Sequence, residues 1–214
     1  MDEEISIIDS KTRSEKLKNF FIKNKKFLIL FLLAIIVILI SFYSFQIYKN
    51  NQKVLLSDKY NSAVIKYSNG DISKTFTLMK DIVTKKDSTY SPLALYFIID
   101  NKLIQNQSDI NDLFNILIDK TSLEIEIKNL IIYKKALFNA DTANENDLLE
   151  ILNPLINSKS IWKSHALYLI AEYFYSKGEY QKAREFYEQI ISVINANQDI
   201  LNETKIRLNR DLGE

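Results

Sequence analysis

Residues 27–48 carry no charged side chain across 22 consecutive positions, and the first fourteen, FLILFLLAIIVILI, are all apolar. As a helix this stretch rises about 33 Å, enough to cross a hydrocarbon layer of roughly 30 Å. It is too long for a core strand, and a soluble domain would have to wrap protein around every face of it. The last eight residues, SFYSFQIY, place Phe42, Tyr43, Phe45 and Tyr48 where aromatic rings with polar tips favour a membrane interface. The sequence therefore predicts a membrane-spanning helix at 27–48, a tail at 1–26 and a body at 49–214.

The flanks predict its direction. The fifteen residues before the stretch hold Arg13, Lys16, Lys18, Lys23, Lys25 and Lys26, whereas the fifteen after it hold Lys49, Lys53 and Lys59. Positive charge is retained on the cytoplasmic side, so the tail is expected inside and the body outside. A cleaved signal peptide is the main rival. Its basic region would be unusually long, and no small-x-small exit follows the apolar run, so the segment is read as an uncleaved anchor. Within the tail, residues 14–21 fit either a short amphipathic helix on the inner leaflet, with Leu17, Phe20 and Phe21 on one side, or a plain disordered segment.

Charge gives no reason to expect nucleic acid as a partner. The tail has seven Lys or Arg against five Asp or Glu, and the body 21 against 22, whereas phosphate binding calls for a basic surface. The chain has no cysteine, which removes disulfides, thiolate nucleophiles and thiolate metal sites. His165 is the single histidine and the three glycines stand at 70, 178 and 213, so neither a His-rich metal site nor a phosphate-binding glycine loop is present. Ser164 and His165 are adjacent, and neighbours on a helix point about 100° apart, which is wrong for a dyad. No catalytic residue, cofactor, metal or small-molecule substrate is expected.

The body reads as helix throughout. Apolar residues recur at three and four positions, and three glycines and two prolines in the whole chain leave few breakers. The spacing predicts helices over 49–69, 72–85, 91–106, 109–120, 123–139, 146–157, 161–177, 179–195 and 198–211, the first continuing from the membrane helix. Asn69-Gly70 and Lys177-Gly178 allow tight turns. Ser91-Pro92 suits a helix start, Ser108 and Ser160 are candidate caps, and Asn153-Pro154 predicts a kink or break. The final stretch predicts a cap, with Ile200, Leu201, Thr204 and Leu208 inward and Glu203, Lys205, Arg207 and Arg210 toward water.

Two stretches echo each other at an offset of 108 residues. Tyr60, Ala63, Tyr67-Ser68, Gly70-Asp71, Lys74, Thr75 and Ile82 find counterparts in Tyr168, Ala171, Tyr175-Ser176, Gly178-Glu179, Lys182, Ala183 and Ile190. Small residues let paired helices approach and glycine makes the turn between them, which is the pattern of a helical repeat. The intervening stretches around 108–110 and 146–148 carry only a faint echo. Tyr168, Tyr175 and Tyr180 crowd the second stretch and admit two readings: packing between helices, or a partner-binding face.

Ala171, Gly178, Ala183 and Tyr187, spaced by seven, five and four, resemble the tetratricopeptide repeat. Leu167 stands where that family prefers Trp, Ile190 where it often has Ala, and Asn195 near its usual Pro; the first stretch has Thr75 in the second small position. The whole order of features resembles the single-pass tetratricopeptide family that includes the ancillary subunit of the bacterial SecYEG translocon, in particular its alphaproteobacterial relatives: the acidic start Asp2-Glu3-Glu4, Lys25-Lys26, the apolar span, Asn69-Gly70-Asp71, Ala140-Asp141-Thr142, Asn153-Pro154 and the closing repeat at 162–190. The resemblance implies an all-α chain in which a TPR-like α-solenoid of about four helical hairpins and a C-terminal capping helix follow the membrane helix. It implies a non-enzymatic scaffold in the bacterial inner membrane, its body in the periplasm, with the translocon and periplasmic folding factors or chaperones as partners. A scaffold for envelope or outer-membrane assembly is the alternative within the same class; an uncharacterised enzyme is the alternative outside it.

Overall fold

A computed structural model describes residues 18–20, 22–104 and 106–212. The tail segment at 14–21 lies outside the described residues except at positions 18–20, which are helical. The described residues are helical with no strand, and the order is α1 (Lys25–Ser68), α2 (Ile72–Thr84), α3 (Tyr90–Asp100), α4 (Gln107–Lys120), α5 (Ile125–Asn139), α6 (Glu145–Ile156), α7 (Lys163–Ser176), α8 (Tyr180–Ile191) and α9 (Gln198–Ile206), closed by a π-helical turn at Arg207–Asp211. The chain divides into two compact units at Leu55 and Leu56.

In the first unit, α1 passes through 27–48 with its apolar side chains exposed, Phe27, Val37 and Phe45 among them. It is long and apolar enough to cross a membrane, and none of its apolar window is buried against protein. No glycine or proline interrupts it, and it runs on unbroken to Ser68, as the sequence predicts.

In the second unit, side-chain contacts fix the direction of each helix. Lys59 is ion-paired with Asp81, and the Thr75 hydroxyl lies 3.4 Å from the Ala63 carbonyl, so α2 runs back along α1. Tyr60 meets the Tyr90 ring at 6.1 Å and Tyr67 meets Phe97 at 5.3 Å, so α3 runs parallel to α1. Lys135 reaches Asn115 at 2.8 Å while Asn139 bonds Asn111 at 2.8 Å, which makes α5 antiparallel to α4. Lys182 at the start of α8 bonds Glu145 at the start of α6, 3.0 Å, so these two are parallel. Asn197, before α9, donates to Ser164, early in α7, at 3.3 Å. Odd-numbered helices thus run one way and even-numbered helices the other, and from α2 to α9 each packs on its neighbours in sequence.

The core forms two apolar clusters, one over the body part of α1 through α4 and one over α5 through Leu212. They meet at α5, where Ile131 belongs to the first and Ile132 to the second, because successive helix residues point about 100° apart. Ile118 of α4 packs against both.

Several boundaries differ from the sequence reading. Helix α3 stops at Asp100 rather than 106 because Lys102 turns left-handed (φ 50°), letting Lys102 and Leu103 donate to the carbonyls of Ile99 and Ile98. Helix α4 is capped by Asn106, whose Oδ1 accepts from Ser108 N at 2.9 Å, so Ser108 is inside the helix and not its cap. Ser160 is not the cap of α7 either, since Trp162 holds that position without a side-chain bond; the Ser160 oxygen accepts from Trp162 N at 3.1 Å, and its hydroxyl donates to Glu126 at 2.7 Å. Pro154 does not break α6, which ends two residues later at Ile156; the ring sits in the last turn, where it removes one ladder bond. Helix α8 ends at Ile191, short of 195.

Candidate partner-binding surface

The repeat positions are where two helices come close. Ala63, Thr75, Ala171, Ala183 and Tyr187 are all fully buried. Gly70 (φ 81°) and Gly178 (φ 76°) each end a helix in the left-handed region. At the first, Gly70 N donates to the Tyr67 carbonyl at 2.9 Å and Asp71 N to Lys66 at 3.0 Å; at the second, Gly178 N donates to Tyr175 at 3.1 Å and Glu179 N to Phe174 at 2.9 Å. Both are the paired bonds of a Schellman cap, placed 108 residues apart like the side chains around them. Thr75 fills its small position with a hydroxyl that donates to the Asp71 carbonyl at 2.7 Å, so the extra polar atom is satisfied inside the helix.

The three tyrosines occupy different environments. Tyr168 is half-buried with its ring edge-on to Tyr187, 5.8 Å between centroids. Tyr175 is half-buried between Tyr180 at 5.3 Å and the Arg207 guanidinium, 5.2 Å above its ring. Tyr180 is open, at 55% exposure. The structure therefore places Tyr168 and Tyr175 beneath the C-terminal turn and leaves Tyr180 as the accessible ring.

What covers them is a charged cluster that the sequence reading missed. Glu172 of α7 accepts from the Tyr187 hydroxyl and from Arg207. Arg207 also binds Asp211 at 3.0 Å, and Arg210 binds Asp211 at 2.7 Å. Arg207 does not face water as expected: its side chain is 23% exposed, against 65% for Arg210. The signal lay in the spacing, since Glu172 stands four residues after Tyr168 and one turn before Tyr175. Electrostatics follow the contacts. Burial and the Glu172 carboxylate push the Tyr187 hydroxyl well above its ordinary pKa, and burial does the same to Tyr168. Hydrogen bonds from Arg210 and Arg207 hold Asp211 down at about 2.

A second surface lies across α4, α5 and α6. Two adjoining clefts of about 340 Å³ each share Lys135, Asp147 and Ile151 as walls. Along one of them Gln107 donates to Asn139 at 2.9 Å, and Asn111 and Asn139 exchange two bonds of 2.8 Å. The sequence signal was a row of amides at 107, 111 and 115, which share one face of a helix. Amides, a lysine and the Asp147 carboxylate can hold a polar chain.

His165 is half-buried beside Trp162 at 5.0 Å and Tyr133 at 5.7 Å, and burial lowers its pKa. Ser164 is engaged elsewhere, accepting from Asn197 N. Among the described residues no group of three or more His, Cys, Asp or Glu is placed to hold a metal ion. No known protein family, curated protein or solved structure matches the chain.

Proposed function

We propose that this chain is a single-pass membrane protein whose body is a TPR-like α-solenoid that holds partner proteins beside the bilayer. The observation that carries the reading is α1, whose apolar residues at 27–48 are packed against nothing. An exposed apolar surface of that length needs a lipid environment. The repeat reading draws support from the two Schellman caps and the buried small residues that recur at an offset of 108. Asn195, near the family's usual proline, has φ 61°, which a proline ring cannot adopt, so the chain departs from the family's pattern there in backbone as well as in sequence.

Stacked hairpins offer long surfaces rather than a deep reaction cavity, and tethering raises the local concentration of anything bound to the same membrane. The charge bias around the span favours a cytoplasmic tail and a body outside the inner membrane. The translocon and periplasmic folding factors are the partners proposed, on the resemblance described above; no enzymatic activity is proposed.

The test is photocrosslinking in native membranes from probes at Tyr180 and at Ile151. Recovery of translocon subunits from either probe supports the reading. Recovery of outer-membrane assembly proteins without translocon subunits would replace the partner, and alkaline extraction of the chain into the soluble fraction would remove the membrane anchor itself.

A further inference from the structure

The alternation of helix directions sorts the connecting segments of the body onto two ends. Segments 85–89, 121–124, 157–162 and 192–197 lie where odd-numbered helices begin; 69–71, 101–106, 140–144 and 177–179 lie where they finish. Within the second unit this end is also where the chain enters, since Lys59 pairs with Asp81 near the end of α2 and Tyr60 touches Tyr90 at the start of α3.

The two ends differ in chemistry. Counting each connection with the helix residue on either side, the first end has Lys85, Lys86, Lys120, Lys159 and Lys163 against Asp87 and Glu124. The connections of the second reverse this, with Lys102 and Lys177 against Asp71, Asp100, Asp141, Glu145 and Glu179, and the C-terminal turn at that end adds Arg207 and Arg210 with Asp211. The first end also exposes Ile125, Ile161, Ile191 and Ile194, the last at 88%, where the second exposes Ile72, Tyr180 and, at the close of α9, Ile206 among its described large apolar residues. Lys159, Lys163, Val193 and Ile194 border one cleft of about 440 Å³ that has no carboxylate on its walls. Neither of those two lysines makes an ion pair among the described residues.

The covalent tether limits where this end can go. Seven residues, and so eight residue-to-residue steps, separate Tyr48, the last of the uncharged stretch, from Leu56, the first of the body. Even fully extended they reach only about 29 Å, and as helix about 12 Å. Isoleucines standing clear of the surface among unpaired lysines are the residues that insert shallowly into a lipid interface with anionic headgroups.

We infer that the end of the body carrying Ile125, Ile161 and Ile194 docks onto the anionic surface of the bilayer that α1 crosses. The inference rests on the proposed membrane anchor and adds a second, peripheral lipid contact at the far hairpin. Docking leaves the acidic end and the α4–α6 clefts open to partners.

Because the chain has no cysteine, the full-length protein takes single fluorophores cleanly. Labels at Ile161→Cys, Ile194→Cys, Asp141→Cys and Tyr180→Cys are compared in nanodiscs containing headgroup-nitroxide lipids, with Val37→Cys against mid-bilayer nitroxides. Docking predicts quenching at 161 and 194 but not at 141 and 180, weakened when phosphatidylglycerol is replaced by phosphatidylcholine. Neutralising Lys159 or Lys163 lowers the docked-to-free ratio about fivefold each. Equal quenching at both ends, no quenching at 161 and 194, or protection there only when another protein is added overturns the inference. Val37 separates the two readings: unquenched, the anchor fails; quenched while 161 and 194 are not, only the docking fails.

Discussion

The Arg207 guanidinium meets the Glu172 carboxylate side-on, its Nε and Nη2 each 3.0 Å from a different carboxylate oxygen. The pair ties the C-terminal turn to α7 across 35 residues of chain and lays Arg207 over the Tyr175 ring. At 23% and 30% exposure it stands between a surface pair and a buried one. A double-mutant cycle with Glu172→Gln and Arg207→Met is therefore expected to give a coupling of about 1–2 kcal/mol. Hydrogen exchange should show α9 opening first in either single variant. A coupling near zero would mean that the turn is held by Ile200, Leu201 and Leu208 alone.

The two turn glycines carry a purely conformational requirement. A Cβ at Gly70 or Gly178 meets nothing within 4 Å, so the cost of alanine there comes only from the left-handed backbone. Gly70→Ala and Gly178→Ala are each expected to lower stability by about 1–2 kcal/mol, and the double variant by the sum, since the turns share no partner. Asparagine, which tolerates φ above zero, should cost less. Urea midpoints of the four proteins in detergent micelles check this; an alanine variant as stable as the parent would mean the turn relaxes to another cap.

Much of this fold was legible because local chemistry and packing agree. Gly70 and Gly178 marked turns, and Ala171, Ala183 and Ile190 marked buried faces, since each is a residue type whose physical use is narrow. Arg207 was misplaced because pattern alone treats any arginine in a cap as solvated; its partner, Glu172, sits 35 residues earlier on another helix. The Gln107–Asn111–Asn139 network was only half readable for the same reason: the amides at 107 and 111 share a helix face, but their pairing with Asn139 exists only once α4 and α5 run antiparallel. Lys102 ends α3 from a residue type that seldom turns left-handed, so nothing in the local sequence announced it.

His165 makes the stability of the body depend on pH. Burial beside Trp162 and Tyr133 lowers its folded-state pKa from the ordinary 6.5, the nearby Ile161 backbone opposing in part. The unfolded chain therefore takes up the proton first as pH falls. The contribution of the neutral ring is whole above about pH 6.5 and declines below it until the folded imidazole also protonates. Since it is the only histidine, one imidazole resonance titrates, and its midpoint is expected below 6.5. His165→Phe should remove the slope of the urea midpoint between about pH 7 and pH 5. A midpoint at or above 6.5 would contradict the burial argument.

Asn139 uses every hydrogen-bonding position an amide has. Its Nδ2 donates to Asn111 Oδ1 at 2.8 Å and to the Lys135 carbonyl at 2.7 Å, and its Oδ1 accepts from Asn111 Nδ2 at 2.8 Å and Gln107 Nε2 at 2.9 Å. At 6% exposure water cannot replace these partners, and the site lies on α5, where the two apolar clusters meet. Asn139→Leu strips Asn111 of both bonds, while Gln107 keeps Thr142. The expected loss is about 2–3 kcal/mol, mostly the cost of leaving the Asn111 amide unpaired. Adding Asn111→Leu removes the stranded group, so the double variant should recover part of the loss although it has fewer hydrogen bonds. Asn139→Asp separates shape from bonding. A carboxylate still accepts from Asn111 and Gln107, but it faces Asn111 Oδ1 and the Lys135 carbonyl with no proton to donate. That variant should be destabilised at neutral pH and regain stability as pH falls and the carboxyl protonates, because the folded state then favours the protonated form. Urea unfolding of the full chain across that range reads the difference. A variant whose midpoint does not rise on acidification relative to the parent would show that the amide pair does not hold α4 against α5.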